Sequence, residues 1–270
     1  MKFRAGISAF TVASLAAVFI APATIAADQS PFPGGSWVDL SHDFSEETLY
    51  WPTAQRFKKE TEFEGQTDGG WFYSAYNIST SEHGGTHLDA PVHFSEGGQS
   101  TGEIPLQRLI GAAAVIDVSE KAAQDRDYLV SVADLQAWEE KNGVLPEGAI
   151  VLINTGSAKL WPDATAYMGT AERGAGAVAS LHFPGIHPDL ATWLVQRAIK
   201  AIGIDTPSID YGQSSDFLTH RILFADNIPG FENVAALDQL PATGAFVVAL
   251  PMKIRGGSGG PLRIIAWIPN

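Results

Sequence analysis

The sequence predicts an α/β or α+β fold that is built on a mixed β-sheet. Segments with strand patterns outnumber those with helix patterns, and the two kinds do not alternate regularly as in a repeated β-α-β fold. Of the 270 residues, 45% are hydrophobic, which is ample for a buried core. A chain of this length forms one large domain or two small ones.

Seven segments carry the alternation or the apolar run of a β-strand. In chain order they are residues 37–40, 71–78, 113–118, 149–154, 201–204, 245–250 and 262–268. The segment at 71–78 alternates aromatic with polar side chains, whereas the runs at 113–118 and 149–154 are apolar and indicate buried strands. A loop at 50–52 and a charged stretch at 56–64 precede the second strand.

Two segments are predicted as helices from their end signals. Residues 131–142 can be capped by Ser131, with Asp134 at the capping-box position and Gly143 at the end. A second helix opens at Pro188 and extends to about residue 200. The Gly- and Ala-rich stretch at 168–180 has no clear pattern.

The first 27 residues differ from the rest and resemble a secretory signal peptide. Lys2 and Arg4 precede an apolar run at 7–20, and small residues surround Ala26 and Ala27. A membrane anchor is the alternative, but the run is short and interrupted by hydroxyl residues. We therefore expect cleavage and an exported protein, periplasmic in location, that has no membrane anchor after cleavage.

Composition excludes several function classes. The chain has 30 acidic and 17 basic residues, and losing Lys2 and Arg4 with the signal peptide takes the net charge from −13 to −15. Such a surface repels phosphate backbones, so we expect no nucleic-acid partner. Cysteine is absent, which leaves His, Asp and Glu as the ligands for any metal.

The most informative segment is residues 83–94, which holds three of the seven histidines. Extended backbone would place His83, His87, Asp89 and His93 on one side, because all four have odd numbers. Imidazole and carboxylate groups together suit a divalent cation such as zinc or manganese. The fourth member, His93, is then a spare histidine for acid/base work. The alternative is that these are scattered polar residues of a surface loop.

A helical metal site is a poor fit to the same segment. The spacing of His83 and His87 matches the zincin signature, but Gly84 stands where that signature has its glutamate. Two glycines weaken a helix, and Pro91 would stop one. The segment is therefore predicted to be a strand or a loop.

The motif His-x-Gly-Thr-His-x-Asp-x-Pro-x-His-Phe, complete at 83–94, is similar to the hallmark of the cyclase family of metal-dependent hydrolases. The similarity continues through residues 204–210, His220 and Glu232, and through 257–263. It implies a swivelling β/β/α domain over residues 28–270, assembled as a homodimer or homotetramer. It also implies hydrolysis of a small amide, as in the kynurenine formamidase and isatin hydrolase branches.

The resemblance also implies roles for single residues. His83, His87 and Asp89 are implied as ligands of one divalent metal, with Asp89 bridging to a second metal that His220 would bind. Glu232 matches a carboxylate that contacts both ions in the formamidase branch. His93 matches the catalytic acid/base, and Trp51 matches an aromatic residue that contacts the substrate ring. The isatin hydrolase branch lacks an equivalent of Glu232 and binds one manganese, so this glutamate favours the formamidase branch. We expect one or two zinc ions, with manganese as the alternative.

Several assignments have open alternatives. His93 could be a fourth ligand, and Trp51 could belong to the core. Asp205 and Asp210 could orient ligand imidazoles or form turns beside Pro207. The chain could also bind a metal or ligand without catalysis, or hydrolyse another small amide, lactam or ester.

A serine-hydrolase mechanism is excluded by chain order. Residues 256–260 read Gly-Gly-Ser-Gly-Gly and fit the nucleophile-elbow pattern, which needs an acid and a histidine later in the chain. No His, Asp or Glu follows Ser258. We expect this stretch to form a tight loop.

Overall fold

A closed, barrel-like ring of seven strands forms the centre of the structure, a computed structural model that describes residue 32 and residues 34–270. The strands, in chain order, are β1 (Gly35–Asp39), β2 (Lys58–Gln66), β3 (Phe72–Ser79), β4 (His87–Asp89), β5 (Ile110–Asp117), β6 (Leu129–Val130), β7 (Ile150–Asn154), β8 (Gly185–Ile186), β9 (Ala201–Ile204), β10 (Gly230–Glu232), β11 (Thr243–Pro251) and β12 (Gly259–Pro269). The predicted signal peptide at 1–27 lies outside the described residues.

The helices of the described part are short, and three of them have eight or more residues. They are α1 (Leu106–Leu109), α2 (Ser119–Ala122), α3 (Val132–Asn142), α4 (Ala164–Met168), α5 (Pro188–Gln196) and α6 (Leu218–Ala225). Four 3-10 helices span Pro91–His93, Ser157–Leu160, Ala175–Ser180 and Leu237–Gln239. None of the helices in the described residues is long and apolar enough to cross a bilayer.

The ring has the order β12-β11-β5-β7-β9-β10-β4, and it closes because β4 also pairs with β12. Strands β5, β7, β9 and β10 run parallel, whereas β4, β11 and β12 make antiparallel pairs. Strand β1 is added outside the ring by pairing with β12. The predicted α/β fold with a mixed sheet core is therefore confirmed.

Alternate residues of the ring strands supply two separate cores. One side of the sheet gathers residues from all seven strands, among them Leu88, Val115, Leu152, Phe231 and Ile264, and fills the ring interior. The opposite side packs against α3, α5 and α6. This follows from the two-residue period of a strand, which sends neighbouring side chains to opposite faces. A side chain next to an interior residue of a ring strand therefore lies on the outer face.

All seven predicted strands are present, with ends that differ by at most three residues. The helix predicted at 131–142 is α3, and Asp134 accepts hydrogen bonds from the backbone N–H and hydroxyl of Ser131, at 2.7 and 2.8 Å. The second helix is shorter than predicted, because α5 ends at Gln196 and Ala198 has a positive φ of 51°.

The charged stretch at 56–64 was not predicted as a strand but forms most of β2. Strands β2 and β3 make a separate two-stranded hairpin. Its pattern was missed because β2 presents almost no buried face: eight of its nine residues are exposed. The hairpin and its turn carry exposed apolar side chains, which are Phe63, Trp71, Phe72, Tyr73, Tyr76 and Ile78.

Candidate metal centre

Strand β4 supplies one imidazole and one carboxylate side chain on the outer face of the ring. Leu88 points into the interior core and is fully buried, so His87 and Asp89 on either side of it point outward. Strand β10 pairs with β4 so that Glu232 stands directly opposite His87. Asp89 stands opposite Gly230 on β10 and Gly259 on β12, two residues without side chains. The ladder therefore places three metal-ligand candidates side by side.

The other two histidines of the motif reach the same place without being in the strand, which corrects the prediction of one extended run. His83 precedes β4 in a bend, and Gly85, with φ of 58°, turns the chain between them. His93 ends the 3-10 helix that Pro91 begins. These residues therefore lie on one side because a turn stands before the three-residue strand and another follows it. The rejection of a helix is confirmed.

His220 comes from α6, more than 120 residues along the chain from the motif. Its Nε2 lies 3.2 Å from Asp89 Oδ2 and 3.2 Å from Glu232 Oε1. On the other side, His87 Nε2 lies 3.1 Å from Asp89 Oδ1 and 3.4 Å from Glu232 Oε2. Two imidazole nitrogens and two carboxylates therefore converge in a place where all four residues are buried.

The hydrogen bonds of the outer nitrogens of His87 and His220, their Nδ1 atoms, determine whether the inner Nε2 atoms, which face the carboxylates, carry a proton. His87 Nδ1 donates to the carbonyl of Gly85 at 2.9 Å, and His220 Nδ1 donates to Asp210 Oδ2 at 2.6 Å. In a neutral imidazole only one nitrogen carries a proton, so both Nε2 atoms then present lone pairs. His87 Nε2 is buried and has no hydrogen-bond partner. Lone pairs that face carboxylate oxygens repel them unless a cation lies between.

The directions of the pKa shifts of His87 and Asp89 also indicate that the cluster favours positive charge. Burial alone would lower the pKa of His87, but Asp89 and Glu232 outweigh it and raise this pKa to about 10. Burial would likewise raise the pKa of Asp89, yet the surrounding histidines hold it well below its usual range. The cluster stabilises cationic imidazoles for the same reason that it would stabilise a bound divalent ion: its two carboxylates are buried directly beside the imidazole nitrogens.

The donor atoms fall into two groups that share one carboxylate. The groups are His83 with His87 and Asp89, and Asp89 with His220 and Glu232; the donor atoms in each group lie within 4.8 Å of one another. Nitrogen and carboxylate donors of this kind suit zinc and other divalent transition metals. These five residues fit a divalent metal and form a candidate metal-binding site.

His93 lies beside the cluster but is more exposed than its members. Its Nε2 is 3.9 Å from Asp89 Oδ2, and its ring stacks on that of His83 with centroids 3.9 Å apart. About 31% of its side chain is exposed, against 2–3% for His87, Asp89 and His220. Burial lowers the pKa of His93 to about 4, with Asp89 opposing the shift. His93 is therefore neutral at pH 7 and can accept a proton.

A cleft of about 290 Å³ opens over the cluster. Its floor includes His83, His87, Asp89, His93, His220 and Glu232. Its walls are mostly apolar, with Leu49, Trp51, Phe94, Met168 and Phe217 among them. The volume lies near the lower end of the range for small-molecule sites. The cleft can therefore hold one small, largely apolar molecule next to the candidate metal ligands.

Trp51, predicted as a substrate contact, does line this cleft. Its ring contacts Phe217 at 6.2 Å and Phe183 at 6.4 Å between centroids, so it also belongs to a small satellite core. The two interpretations of Trp51 are therefore compatible. Phe217 was missed by the sequence analysis, and its positive φ of 51° at the start of α6 is a backbone feature that residue type does not reveal.

The two aspartates with open roles differ in what they contact. Asp210 accepts hydrogen bonds from His220 Nδ1 at 2.6 Å and from the backbone N–H of His220 at 3.1 Å, so it orients that candidate ligand imidazole. Asp205 accepts from the backbone and hydroxyl of Thr155, at 2.8 and 2.7 Å, and has no bond to a candidate ligand. Asp205 therefore holds neighbouring loops together.

The comparisons of this chain with a family model, with known sequences and with solved structures agree with one another. The Cyclase family model matches residues 38–211. Isatin hydrolase of Roseibium aggregatum is 35% identical over 216 residues, covering 77% of this chain and 79% of the relative. Kynurenine formamidase of Salinibacter ruber is 28% identical, covering 84% and 95%. The solved structure of isatin hydrolase A from Labrenzia aggregata, bound to benzyl benzoate, superposes with a TM-score of 0.78 at 32% identity, covering 87% of this chain and 94% of that one.

Proposed function

The chain belongs to the cyclase family of metal-dependent hydrolases, and we propose that it hydrolyses a C–N bond of a small aromatic amide. The observation that carries the proposal is the position of His93. It is a neutral imidazole that stacks on a candidate ligand, lies 3.9 Å from the central carboxylate and faces an apolar cleft. This is the arrangement that general acid/base catalysis next to a metal needs.

The residues of the site would have different roles in amide hydrolysis. A divalent ion held by the five candidate ligand residues would lower the pKa of a water molecule to around 7 and polarise the substrate carbonyl. His93 would take a proton from the attacking water and return it to the leaving nitrogen as the C–N bond breaks. The apolar walls would exclude bulk water and hold the aromatic ring of the substrate. The products are a carboxylic acid and an amine.

For the substrate, we propose a bicyclic aromatic lactam of the isatin type as the first candidate. Opening such a lactam yields a carboxylate and an aromatic amine on one product molecule. The identity of 35% to an isatin hydrolase exceeds the 28% to a kynurenine formamidase. The cleft volume of about 290 Å³ and its aromatic walls suit a flat ring system of this size. This order reverses the one that the sequence analysis favoured.

An aryl formamide of the N-formylkynurenine type is the second candidate. Glu232 favours it, because this carboxylate is implied for the formamidase branch and lies between His87 and His220 in the structure. Glu232 also supports a second ion, since it completes the group formed with Asp89 and His220. We propose zinc or manganese as the metal, with one or two ions per chain.

We also propose that the protein is exported and forms a homo-oligomer. Export depends on the signal-peptide pattern of the first 27 residues. Assembly is supported by the β2–β3 hairpin, because an isolated two-stranded hairpin is marginally stable in water and this one exposes six large apolar side chains. Intact mass of the secreted protein tests cleavage, and light scattering tests assembly.

Steady-state assays distinguish the candidate functions. The purified chain, loaded with zinc or with manganese, should be assayed on isatin, N-formylkynurenine and a simple aryl formamide. We expect the highest kcat/KM on isatin. Preference for the formamides would establish the second candidate instead. A metal-loaded protein inactive on every amide, lactam and ester offered would contradict the proposed hydrolase and support a non-catalytic binding protein.

A further inference from the structure

The glycine-rich segment at 256–260 is a loop that leads into β12 at Gly259, and it contacts a candidate ligand histidine, although it has no role in the chemistry proposed above. The Ser258 hydroxyl lies 2.9 Å from His83 Nε2 and donates to Glu82 Oε2 at 2.7 Å. The backbone N–H of Ser258 donates to the same carboxylate oxygen at 2.9 Å. Glu82, Ser258 and His83 therefore form a continuous hydrogen-bonded chain that ends at the metal cluster.

The direction of the protons in this chain follows from the chemistry of its members. An ionised carboxylate only accepts hydrogen bonds, so the hydroxyl proton of Ser258 is directed to Glu82. The serine oxygen then offers a lone pair to His83, so His83 Nε2 is the protonated nitrogen and donates a hydrogen bond to this oxygen. This leaves a lone pair on His83 Nδ1, which lies 2.7 Å from Asp89 Oδ1. His83 thereby adopts the same pattern as His87 and His220, with the outer nitrogen protonated and the inner one free.

A second observation places the same loop against the His83 ring. A Cβ atom at Gly259 would lie 2.6 Å from His83 Cε1 and 2.7 Å from the carbonyl oxygen of Leu88. Carbon atoms do not approach so closely, which means that only glycine lets this strand pass beside the imidazole. The backbone N–H of Ala90 also donates to the Ser258 carbonyl at 2.8 Å, which ties the loop to the end of β4.

We propose that Ser258, supported by Glu82, is a positioning residue that fixes the tautomer and orientation of His83 for metal binding. This inference rests on the proposed function, since it assumes that His83 binds the metal. It gives the Gly-Gly-Ser-Gly-Gly segment a role different from the nucleophile elbow that its letters suggest. His83 depends on this support more than the other two ligand histidines, because it is the most exposed, at 22% of its side chain.

The test is the affinity of the full chain for Zn²⁺, measured by competition with a chromophoric chelator. We expect Ser258→Ala and Glu82→Ala to weaken zinc binding about 10- to 100-fold, the usual cost of removing a group that orients a metal ligand. Glu82→Gln should bind zinc nearly as the wild type does, because its amide oxygen can still accept from Ser258.

Ser131→Ala is the matched control. Ser131 also donates both its backbone N–H and its hydroxyl to one carboxylate oxygen, that of Asp134, but it caps α3 and has no contact with the cluster. We expect this variant to lower the unfolding midpoint of the metal-free protein without changing zinc affinity. A second readout is the absorption spectrum of the Co²⁺-loaded protein, which should change in Ser258→Ala and not in Ser131→Ala.

Two results would overturn the inference, and they differ in what else they affect. If Ser258→Ala and Glu82→Ala bind zinc within twofold of wild type and only lose stability, the role of the loop is structural and the proposed function stands. If the wild-type chain itself binds no divalent metal, the proposed function fails and the inference fails with it. The Glu82 variants keep the test decisive should Ser258→Ala not fold.

Discussion

At the scale of single residues, the site is defined by which nitrogen of each imidazole carries the proton. The outer nitrogens of His87 and His220 donate to Gly85 and Asp210, and both inner nitrogens face Asp89 and Glu232. His93 differs, because none of its nitrogens is held in this way and its side chain is partly exposed. The structure therefore separates the candidate ligand imidazoles, which are fixed by hydrogen bonds, from one imidazole that is not.

This separation predicts the behaviour of His93→Ala. We expect the variant to keep its metal, because the five candidate ligands remain, and to lose hydrolysis by a factor of about 100 or more. Metal content by elemental analysis and kcat on the preferred substrate check the two parts. His187→Ala is a suitable control, since His187 only caps α5 and should leave both quantities unchanged. Loss of metal in His93→Ala would instead identify His93 as a fourth ligand.

Sequence spacing could identify only the residues that lie close together along the chain. His83, His87, Asp89 and His93 occur within eleven residues, so their pattern is visible without a fold. His220 and Glu232 became candidates only through the family resemblance, because the pairing of β4 with β10 and the packing of α6 bring them in. Glu82 and Ser258 were missed, since a serine 176 residues from its glutamate carries no local signal.

At the scale of secondary structure, end signals located the start of α3, whereas strand patterns found seven strands but missed most of β2. The capping residues of α3 located its start, because Ser131 and Asp134 satisfy backbone groups that the helix itself cannot. The hairpin of β2 and β3 was only half predicted, since β2 buries no face and therefore shows no apolar alternation. Strand β10, with three residues, is too short for any pattern to show.

The cap of α3 predicts an acid-dependent loss of stability. Burial would raise the pKa of Asp134, but Lys121, Ser131 and Tyr128 together hold it below its usual value of 3.8. A carboxylate with a lowered folded-state pKa stabilises the fold fully above the unfolded-state value, and this contribution is lost as pH falls through the folded-state value. We expect Asp134→Asn to cost about 1 kcal/mol at pH 7, in the range for a lost helix cap.

Urea unfolding at pH 7 and at successively lower pH below 4 checks this expectation. The difference in the free energy of unfolding between wild type and Asp134→Asn should become smaller as the pH falls, because the wild-type carboxylate becomes protonated. Asp189→Asn serves as the control: Asp189 lies in the first turn of α5 with 83% of its side chain exposed. It should differ from wild type by no more than about 0.5 kcal/mol at any pH. A gap for Asp134→Asn that is constant down to acid pH would be evidence against the ionic cap.

At the scale of the whole molecule, closure of the ring is what assembles the site. The pairing of β4 with both β10 and β12 joins the strand ladder into a ring, and these two pairings also bring Glu232 and the 256–260 loop to the motif. The fold class was predictable from strand patterns, but this pairing was not, because a three-residue strand carries too little information to choose its neighbours. The site is therefore a property of the closed fold, although its central motif is local.

Metal removal should consequently weaken the whole fold. The cluster buries two carboxylates and the lone pairs of ligand imidazoles, and a cation that binds only the folded state stabilises it by mass action. With free Zn²⁺ at 100 times its Kd, the free energy of unfolding should rise by about 2.7 kcal/mol over the metal-free protein. For a chain of this size that corresponds to a shift of about 5 to 10 °C in the unfolding midpoint.

Thermal unfolding with excess zinc and after removal of metal by a chelator measures this shift. Asp89→Asn provides the control, because Asp89 belongs to both donor groups and the variant should respond little to zinc. Magnesium at the same concentration should have a much smaller effect, since imidazole-rich sites favour zinc over harder cations. Equal midpoints for the zinc-loaded and metal-free wild type would mean that the cluster does not hold an ion in the folded state.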